Sequence, residues 1–550
     1  MASSLLRPSS SPLPTVCILL LLLLVSPPLS ESSSSPSVLP SSLSAKKLCN
    51  STPHPETCLK SLNLFVDINI SPSILTFLLQ TLKSALSEAS DLARILGSAG
   101  AGVVENQRAT LQDCWELHQI SLSCLRKSSS FVLSGKKLSD VRTFLSAALT
   151  NRATCLEGLA AASGPAKETV AGAVAEAYKS VSNALSILSN VAPPPGGRRR
   201  GRRHPPGSIS GSSQFPAWLS RRDRRLLQST DEGNGYDPRS VLTVAQDGSG
   251  NFTTIGDAVA AVPNNSGDRT VIIVRAGVYN ENVEIPSYKT NVVFLGDGSN
   301  ATVIRGSRSV GGGWTTFRSA TLAVAGEGFL ARDIAVENAA GPENAQAVAL
   351  RVNADLSAFY LCSFSGYQDT LYVHSFRQFY RECAISGTVD FIFGNAAVVF
   401  QGCAIQPRRP LPGQFNAITA QGRDDPNENT GISIQNCTVV AAGDFAGSAT
   451  RTYLGRPWRE YSRTVFMETY MDSVVDPAGW REWNATRKGL ETVYYGEYRN
   501  RGEGARTEKR VDWAGHHLME YDDAVEFTVE ALISGDGWLE STSFPYDYPV

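Results

Sequence analysis

The 550-residue chain has only six histidines, nearly balanced charge and no hydrophobic run long enough to cross a membrane. A formal net charge of −2 argues against a basic nucleic-acid-binding protein. The chain lacks the Gly-x-Ser-x-Gly motif that serine hydrolases use to present their nucleophile. It also lacks His-Glu-x-x-His and any Cys/His cluster with zinc-ligand spacing. We therefore expect neither a metal nor another cofactor.

The most apolar segment, residues 16–25, is too short for a membrane span but suits the core of a signal peptide. We predict a signal peptide over 1–30 and a Ser/Pro-rich spacer over 31–44. A signal anchor that stays in place is the alternative. Secretion agrees with seven Asn-x-Ser/Thr sequons, each a glycosylation candidate if exposed. They begin at Asn50, Asn69, Asn251, Asn264, Asn300, Asn436 and Asn484.

Residues 45–192 carry apolar side chains at the helical period, as in the stripe of Val170, Val174 and Val181. Four such stretches predict an all-α four-helix bundle. Five cysteines in this region leave at least one thiol unpaired. Two pairings are possible, one near the start of the bundle and one between helices. They are Cys49–Cys58 and Cys114–Cys155.

Residues 193–227 form a segment rich in Pro, Gly and Arg that cannot bury a core. Paired basic residues in an exposed linker of a secreted protein are candidate processing sites, which predicts a processing protease as a partner. The alternative is a tail that binds polyanions. The last basic pair before the following domain is Arg224-Arg225, followed by Leu226-Leu227.

The region 228–550 consists of short β-branched runs separated by Gly and Asn, with an internal repeat of about twenty residues. Each copy reads aromatic or aliphatic-x-x-Cys-x-apolar. This period predicts an all-β right-handed parallel β-helix built from stacked coils. Stacking would place neighbouring cysteines within bridging reach, with Cys383–Cys403 the favoured pair, although an unbridged apolar ladder remains an alternative. The repeated cysteines are Cys362, Cys383, Cys403 and Cys437.

Two aspartates occupy the same position in this repeat. Asp369 follows Cys362 by seven residues, and Asp390 follows Cys383 by seven residues. Equivalent residues on successive coils are about 4.8 Å apart, so the two carboxyl groups should lie side by side. Since like charges that close cannot both ionise readily, one pKa should rise while the other stays low. Such a pair supplies an acid and a nucleophile.

Several ordered motifs identify a family. Residues 238–545 resemble plant pectin methylesterases that carry an inhibitor-like pro-region, and 45–192 resembles the plant invertase and pectin methylesterase inhibitor family. Arg224-Arg225-Leu226-Leu227 is similar to the processing motif of this group. The matching strings are Gly313-Trp314-Thr315-Thr316-Phe317, Gln346-Ala347-Val348-Ala349-Leu350-Arg351, Gly366-Tyr367-Gln368-Asp369-Thr370-Leu371-Tyr372, Asp390-Phe391-Ile392-Phe393-Gly394-Asn395 and Leu454-Gly455-Arg456-Pro457-Trp458.

The resemblance implies hydrolysis of the methyl esters of homogalacturonan (pectin) in the plant cell wall. It assigns Asp390 as the nucleophile and Asp369 as the general acid and base, while Gln346 and Gln368 stabilise the oxyanion. Arg456 is implied to pair with the nucleophile. The residues implied to contact substrate or line its groove are Thr316, Gln346, Arg456, Trp458, Tyr367, Phe391 and Phe393.

Three alternative functions have to be compared with that of an esterase. A polygalacturonase would share the β-helix, but its Asn-Thr-Asp and Gly-His-Gly strings are missing, and a calcium-dependent lyase would need clustered acids. A non-catalytic pectin-binding protein is a third possibility. The helical region is expected either to block the groove or to assist folding, and a separate inhibitor protein is a candidate partner. The residues do not decide between these roles.

Overall fold

The computed structural model of this chain describes residues 45–62, 74–99, 102–134, 138–191, 241–445, 450–484 and 489–548. The predicted signal peptide, spacer and processed linker, including Arg224, Arg225, Leu226 and Leu227, lie outside these ranges, as does the sequon at Asn69. No helix in the described part is long and apolar enough to cross a membrane.

The N-terminal domain is a helical bundle whose apolar stripes meet in one core. The predicted fourth helix is divided in two, because the helical conformation breaks at Tyr178. Two short helices precede the bundle. The helices are α1 (Ala45–Asn50), α2 (Pro55–Leu62), α3 (Ile74–Ser98), α4 (Thr110–Leu133), α5 (Leu138–Ala160), α6 (Lys167–Ala177) and α7 (Lys179–Val191).

Both cysteine pairings considered for the bundle are disulfide bonds in the structure. Cys49–Cys58 joins α1 to α2, and Cys114–Cys155 joins α4 to α5. Cys124 is the predicted unpaired thiol, and it is buried. The second bond closes a long loop, so its removal should destabilise the bundle more than removal of the first.

Three parallel sheets form the C-terminal domain, and their strands follow one another around successive coils. This topology is the predicted parallel β-helix. The eleven-stranded sheet contains β1 (Val241–Val244), β2 (Thr270–Val274), β5 (Val292–Gly296), β8 (Leu330–Arg332), β11 (Ser357–Tyr360), β14 (Arg377–Arg381), β17 (Ala397–Gln401), β20 (Gly431–Gln435), β23 (Arg463–Met467), β25 (Tyr494–Tyr498) and β26 (His516–Leu518).

The other two sheets complete each coil. The seven-stranded sheet contains β4 (Val283–Ile285), β7 (Leu322–Val324), β10 (Leu350–Val352), β13 (Leu371–Val373), β16 (Ile392–Gly394), β19 (Asn416–Gln421) and β22 (Thr452–Gly455). The eight-stranded sheet contains β3 (Gly277–Tyr279), β6 (Thr302–Gly306), β9 (Ala335–Asn338), β12 (Ser363–Ser365), β15 (Ala384–Gly387), β18 (Ala404–Pro407), β21 (Thr438–Val439) and β24 (Tyr470–Met471).

The first position of the cysteine repeat forms an aromatic ladder inside the β-helix. Phe359, Tyr380 and Phe400 are paired in register on β11, β14 and β17. Their rings stack at centroid distances of 4.8 and 4.7 Å. Each ring is fully buried, so the ladder stabilises the fold mainly through apolar burial.

The predicted disulfide between Cys383 and Cys403 is wrong. Cys362, Cys383, Cys403 and Cys437 are all buried free thiols. In-register parallel coils point equivalent Cβ atoms the same way, which is unfavourable for the geometry of a disulfide bond. The Cys383 thiol lies 3.4 Å from the Arg381 carbonyl oxygen. The apolar ladder was therefore the correct alternative.

The bundle lies against the outward face of the seven-stranded sheet. Leu117 of α4 packs in one cluster with Phe317, Tyr372 and Phe393 of the β-helix. Buried ion pairs flank this contact: Arg318 pairs with Asp113 of α4 at 2.7 Å. Arg377 likewise pairs with Asp140 of α5 at 2.7 Å. Neither arginine depends on these aspartates alone, because Arg318 also pairs with Glu284 and Glu116, and Arg377 with Asp355.

The cysteine assignment can be checked by alkylation. In the unreduced, unfolded protein, iodoacetamide should label the five cysteines that are free in the structure, and in the native protein it should label none of them. Peptide mass spectrometry provides the measurement, and Cys114 and Cys155 serve as controls that react only after reduction. A cross-linked peptide containing both Cys383 and Cys403 would contradict the structure.

Candidate active site

Asp369 and Asp390 lie at equivalent turns of adjacent coils, immediately before β13 and β16. Leu371 pairs with Ile392 in the parallel register, which carries the two aspartates into alignment. The Asp369 amide donates to the Val389 carbonyl oxygen at 3.0 Å. Both aspartates adopt positive φ, 63° and 53°, which is a strained conformation found often at functional sites. The predicted stacking of the two positions is confirmed.

A guanidinium holds the second aspartate. Arg456, immediately after β22, donates from Nε to Asp390 Oδ1 at 2.8 Å and from Nη2 to Oδ2 at 2.6 Å. This two-point pairing fixes the plane of the carboxylate and supplies the opposite charge. The Trp483 ring, 4.0 Å from the guanidinium carbon, supports the other side of Arg456.

The two carboxyl groups differ in their electrostatic surroundings. Burial raises the pKa of Asp369 well above its ordinary value, and the neighbouring Asp390 raises it further. Burial also raises the pKa of Asp390, so the expectation that it stays low is wrong. Arg456 opposes that rise through its two hydrogen bonds to Asp390, whereas it acts on Asp369 only through its charge. The proton of the pair therefore resides on Asp369.

A cavity of about 340 Å³ contains both aspartates. Its boundary comes from the β-helix and from α4 and α5 of the bundle. The residues predicted from the sequence that line this cavity are Thr316, Gln346, Gln368, Asp369, Asp390, Phe393, Arg456 and Trp458. Side-chain amides, acids and a cation therefore converge with aromatic rings at one place, as in many enzyme sites.

Aromatic side chains form one wall of the cavity. Tyr372 and Phe393 pair in register on β13 and β16 and stack at 4.1 Å. The Trp458 ring lies 5.9 Å from that of Phe393. A Cβ at Gly422 would approach Trp458 Cε3 to 2.7 Å, so only glycine lets Trp458 pack there. The wall suits the apolar face of a sugar ring.

Two predicted groove residues lie elsewhere. Phe391 is fully buried in the interior of the β-helix, because the positive φ at Asp390 turns the chain before β16 begins. The ring of Tyr367 is not part of the described cavity wall and packs instead 4.1 Å from the Arg408 guanidinium, which also donates to its hydroxyl. These two assignments are corrected accordingly.

Sequence reasoning missed several residues of the cavity. Tyr372 is three positions after Asp369 and corresponds to Phe393 in the repeat, so the repeat itself contained a signal for it. Trp483 had no comparable signal. Thr154 and Glu157 of α5 also line the cavity, and no local pattern in the sequence relates them to the aspartates.

His374, the histidine nearest to the aspartates in sequence, is enclosed in the interface. Its Nε2 lies 2.9 Å from Thr154 Oγ1 and its Nδ1 2.9 Å from Ser375 Oγ. Burial lowers its pKa well below the ordinary value. A neutral, fully hydrogen-bonded imidazole agrees with a structural role. In the described ranges, no group of three or more His, Cys, Asp or Glu side chains is placed to hold a metal.

Comparison with known proteins identifies both domains. The pectinesterase family profile matches residues 241–536, and the plant invertase/pectin methylesterase inhibitor profile matches residues 44–187. An Arabidopsis thaliana protein described as probable pectinesterase/pectinesterase inhibitor 12 is 55% identical over 525 residues, covering 93% of this chain and 94% of the relative. Pectinesterase 2 of Citrus sinensis is 45% identical over 506 residues, covering 91% of this chain and 94% of the relative.

The β-helix also has a relative of known structure. Pectin methylesterase from carrot superposes with a TM-score of 0.56 and 52% sequence identity, covering 58% of this chain and 100% of the carrot chain. One profile thus matches more than half of the residues, and a relative of similar domain content matches nearly the whole length. On these grounds the chain belongs to the pectinesterase family and carries an N-terminal domain of the plant invertase/pectin methylesterase inhibitor family.

Proposed function

We propose that this protein hydrolyses the methyl esters of homogalacturonan, releasing methanol and leaving pectate, through a covalent intermediate on Asp390. The observation that carries the proposal is the buried aspartate pair, in which one member is held by Arg456 and the other keeps the proton. The substrate class follows from the family and agrees with the aromatic wall. Secretion to the plant cell wall agrees with the predicted signal peptide.

In the first half of the reaction, an oxygen of Asp390 attacks the C6 carbonyl carbon of a methyl galacturonate. The developing oxyanion accepts hydrogen bonds from the side-chain amides of Gln346 and Gln368, both of which line the cavity. The C6–methoxy bond then breaks, and Asp369 gives its proton to the departing methoxide. The products are methanol and an anhydride between galacturonate and Asp390.

In the second half, Asp369 is ionised and removes a proton from water. The resulting hydroxide attacks the galacturonate carbonyl carbon of the anhydride, and its bond to Asp390 breaks. The galacturonic acid formed loses its proton to solvent and leaves as a carboxylate, while Asp390 is regenerated as a carboxylate and Asp369 is again protonated. Arg456 contributes by keeping the Asp390 carboxylate ionised and oriented at the start of each cycle.

Replacement of the nucleophile tests the reaction. Asp390→Asn in the protein cut within the linker should lower methanol release from methyl-esterified pectin by at least about a thousandfold, because the amide cannot form the anhydride. The exposed Asp247→Asn variant is the control and should behave like the unaltered enzyme. Equal release by Asp390→Asn and the control would rule out this nucleophile, and release of reducing ends instead would indicate a glycosidase.

We further propose that the bundle inhibits the enzyme until the linker is cut. Thr154 and Glu157 of α5 share the cavity with the aspartates, and Glu157 pairs with Arg459 beside Trp458. A polymer could not occupy the groove while α5 lies there. Cleavage near Arg224-Arg225 by a processing protease would free the bundle, and the exposed face would then suit a separate inhibitor protein of the same fold. Assistance in folding is compatible with the same contacts.

Reversing one interface charge tests the inhibition. A chain with Ala at Arg221, Arg222, Arg224 and Arg225 should stay uncut and release little methanol. Adding Glu157→Arg places two guanidinium groups in contact and should raise methanol release by the uncut chain at least about tenfold. Glu168→Arg, at an exposed site on α6, is the matched control, and with it the uncut chain should still release little methanol. High activity of the uncut chain without Glu157→Arg would contradict inhibition.

The docked interface should also respond to pH. Burial raises the pKa of Glu157 to about 7, although Arg459 opposes the rise, and Asp424 adds to it. Burial raises the pKa of Asp113 to about 6, against the attraction of Arg318 and Arg351. Docking therefore takes up protons. Its contribution is complete below the ordinary pKa of these acids and is lost as the pH rises through about 6 to 7.

The dissociation constant of the cut bundle should consequently rise at least roughly tenfold between pH 5 and pH 8. Sedimentation velocity of the cut protein over this range provides the measurement. Glu157→Gln cannot titrate and should flatten the pH dependence, whereas Glu168→Gln should not. Tighter association at pH 8 than at pH 5 would show the sign to be wrong.

A further inference from the structure

A second concave site lies next to the catalytic arginine. This cavity of about 440 Å³ is lined by Phe415, Arg451, Tyr453 and Arg481, together with Gly413, Gln414 and Thr450. All of these residues belong to the β-helix domain, and the described bundle contributes none of the lining. The cavity is thus open in the same state in which α5 occupies the catalytic groove.

Arg481 is held in this cavity by aromatic faces and not by an acid. Its guanidinium carbon lies 4.2 Å from the centre of the Phe415 ring and 5.3 Å from that of Tyr453. Its Nη1 also donates to the Tyr453 hydroxyl at 3.4 Å. Those two rings meet edge to face at 5.9 Å, which makes the support rigid. In the described residues no carboxylate lies within ion-pair distance of Arg481.

The second arginine reinforces the positive charge. The Arg451 side chain is 73% exposed and lies 3.7 Å from Asp476, so its charge is only partly offset. Two ordinary solvent-exposed arginines without a ligand would be the simplest explanation of Arg451 and Arg481. Arg481, however, is held in one orientation by the two aromatic rings and lies in a cavity. A planar guanidinium that is ordered and has no acid partner is suited to bind the carboxylate of a ligand.

The position of this cavity relates it to the reaction. The Phe415 ring contacts both Arg481 and Arg456. The guanidinium carbon of Arg456 lies 5.2 Å from the centre of this ring. Arg456 is already paired with Asp390 through its Nε and Nη2 atoms. Arg481 therefore offers a guanidinium held by aromatic rings to a neighbouring sugar of the polymer. The carboxylate that the proposed reaction produces is an anion of the matching shape.

We propose that the cavity of Phe415, Arg451, Tyr453 and Arg481 binds the free carboxylate of a de-esterified galacturonate, and that it does so even while the bundle covers the catalytic groove. The ligand class rests on the proposed function. The consequence is that the uncut protein associates with pectate before activation. In the cut enzyme, a carboxylate beside the reacting ester strengthens substrate binding.

Binding to the uncut chain tests the site without catalysis. The probe is an end-labelled, fully de-esterified oligogalacturonate. Its binding is measured by fluorescence anisotropy at two salt concentrations, with the uncut variant that carries Ala at Arg221, Arg222, Arg224 and Arg225. Arg481→Gln should weaken binding at least about tenfold, because one charge-assisted contact is lost. Arg481→Lys keeps the charge but loses the planar guanidinium, so its affinity should lie between those of the unaltered chain and Arg481→Gln. A fully methyl-esterified oligomer should bind weakly to every variant.

Arg275→Gln, at the opposite end of the β-helix and 54% exposed, is the matched control and should bind pectate like the unaltered chain. Equal weakening by Arg275→Gln and Arg481→Gln would show non-specific attraction and overturn the proposal. Binding to the cut enzyme but not to the uncut chain would overturn it as well.

Steady-state kinetics separate this proposal from the proposed function. In the cut enzyme, Arg481→Gln should raise KM for partly de-esterified pectin several-fold with kcat preserved, since the contact is made equally in ground and transition states. An unchanged KM would count against the site. Absence of methanol release with Arg481-dependent pectate binding intact would remove the proposed reaction while leaving the carboxylate site in place.

Discussion

In-register stacking of parallel coils is the constraint on which the rest of this structure depends. One strand spacing sets the distance between equivalent residues, and it acts identically on every kind of side chain. It produces the aromatic ladder of Phe359, Tyr380 and Phe400 in the interior. On the outside it aligns Asp369 with Asp390 and stacks Tyr372 on Phe393. The same rule keeps the thiols unbridged.

The aspartate pair is costly for the fold. Both carboxyl groups are buried, both residues have positive φ, and the Arg456 guanidinium donates its hydrogen bonds to Asp390. Such an arrangement persists only where the surrounding structure over-determines it. Here the hydrogen-bonded coils above and below do so, which makes the acid and the nucleophile available without rearrangement. The β-helix thus brings two identical side chains together, and Arg456 gives them different electrostatic surroundings.

The bundle and the catalytic face are complementary in both apolar surface and charge. The outward face of the seven-stranded sheet presents apolar rings, which Leu117 of α4 covers. Asp113 and Asp140 of the bundle add acid partners to Arg318 and Arg377, which the β-helix also pairs with Glu284 and Asp355. Burial raises the pKa of Asp113 and of Glu157, which ties the contact to protonation. The Arg481 cavity lies outside the covered area, so ligand binding there and inhibition at the groove are separable.

The sequence by itself determined the helical and β-helical domains and the alignment of the two aspartates, because periodicity is local and stacking follows from it. Arg456, Trp458 and the glutamines were accessible only through family resemblance, since they come from different coils. Only the tertiary structure decided that Phe391 points inward, that Cys383 and Cys403 stay apart, and that Thr154 and Glu157 enter the cavity. Those outcomes depend on the backbone turn at Asp390, on the direction of Cβ atoms and on docking between distant segments, none of which a linear pattern encodes.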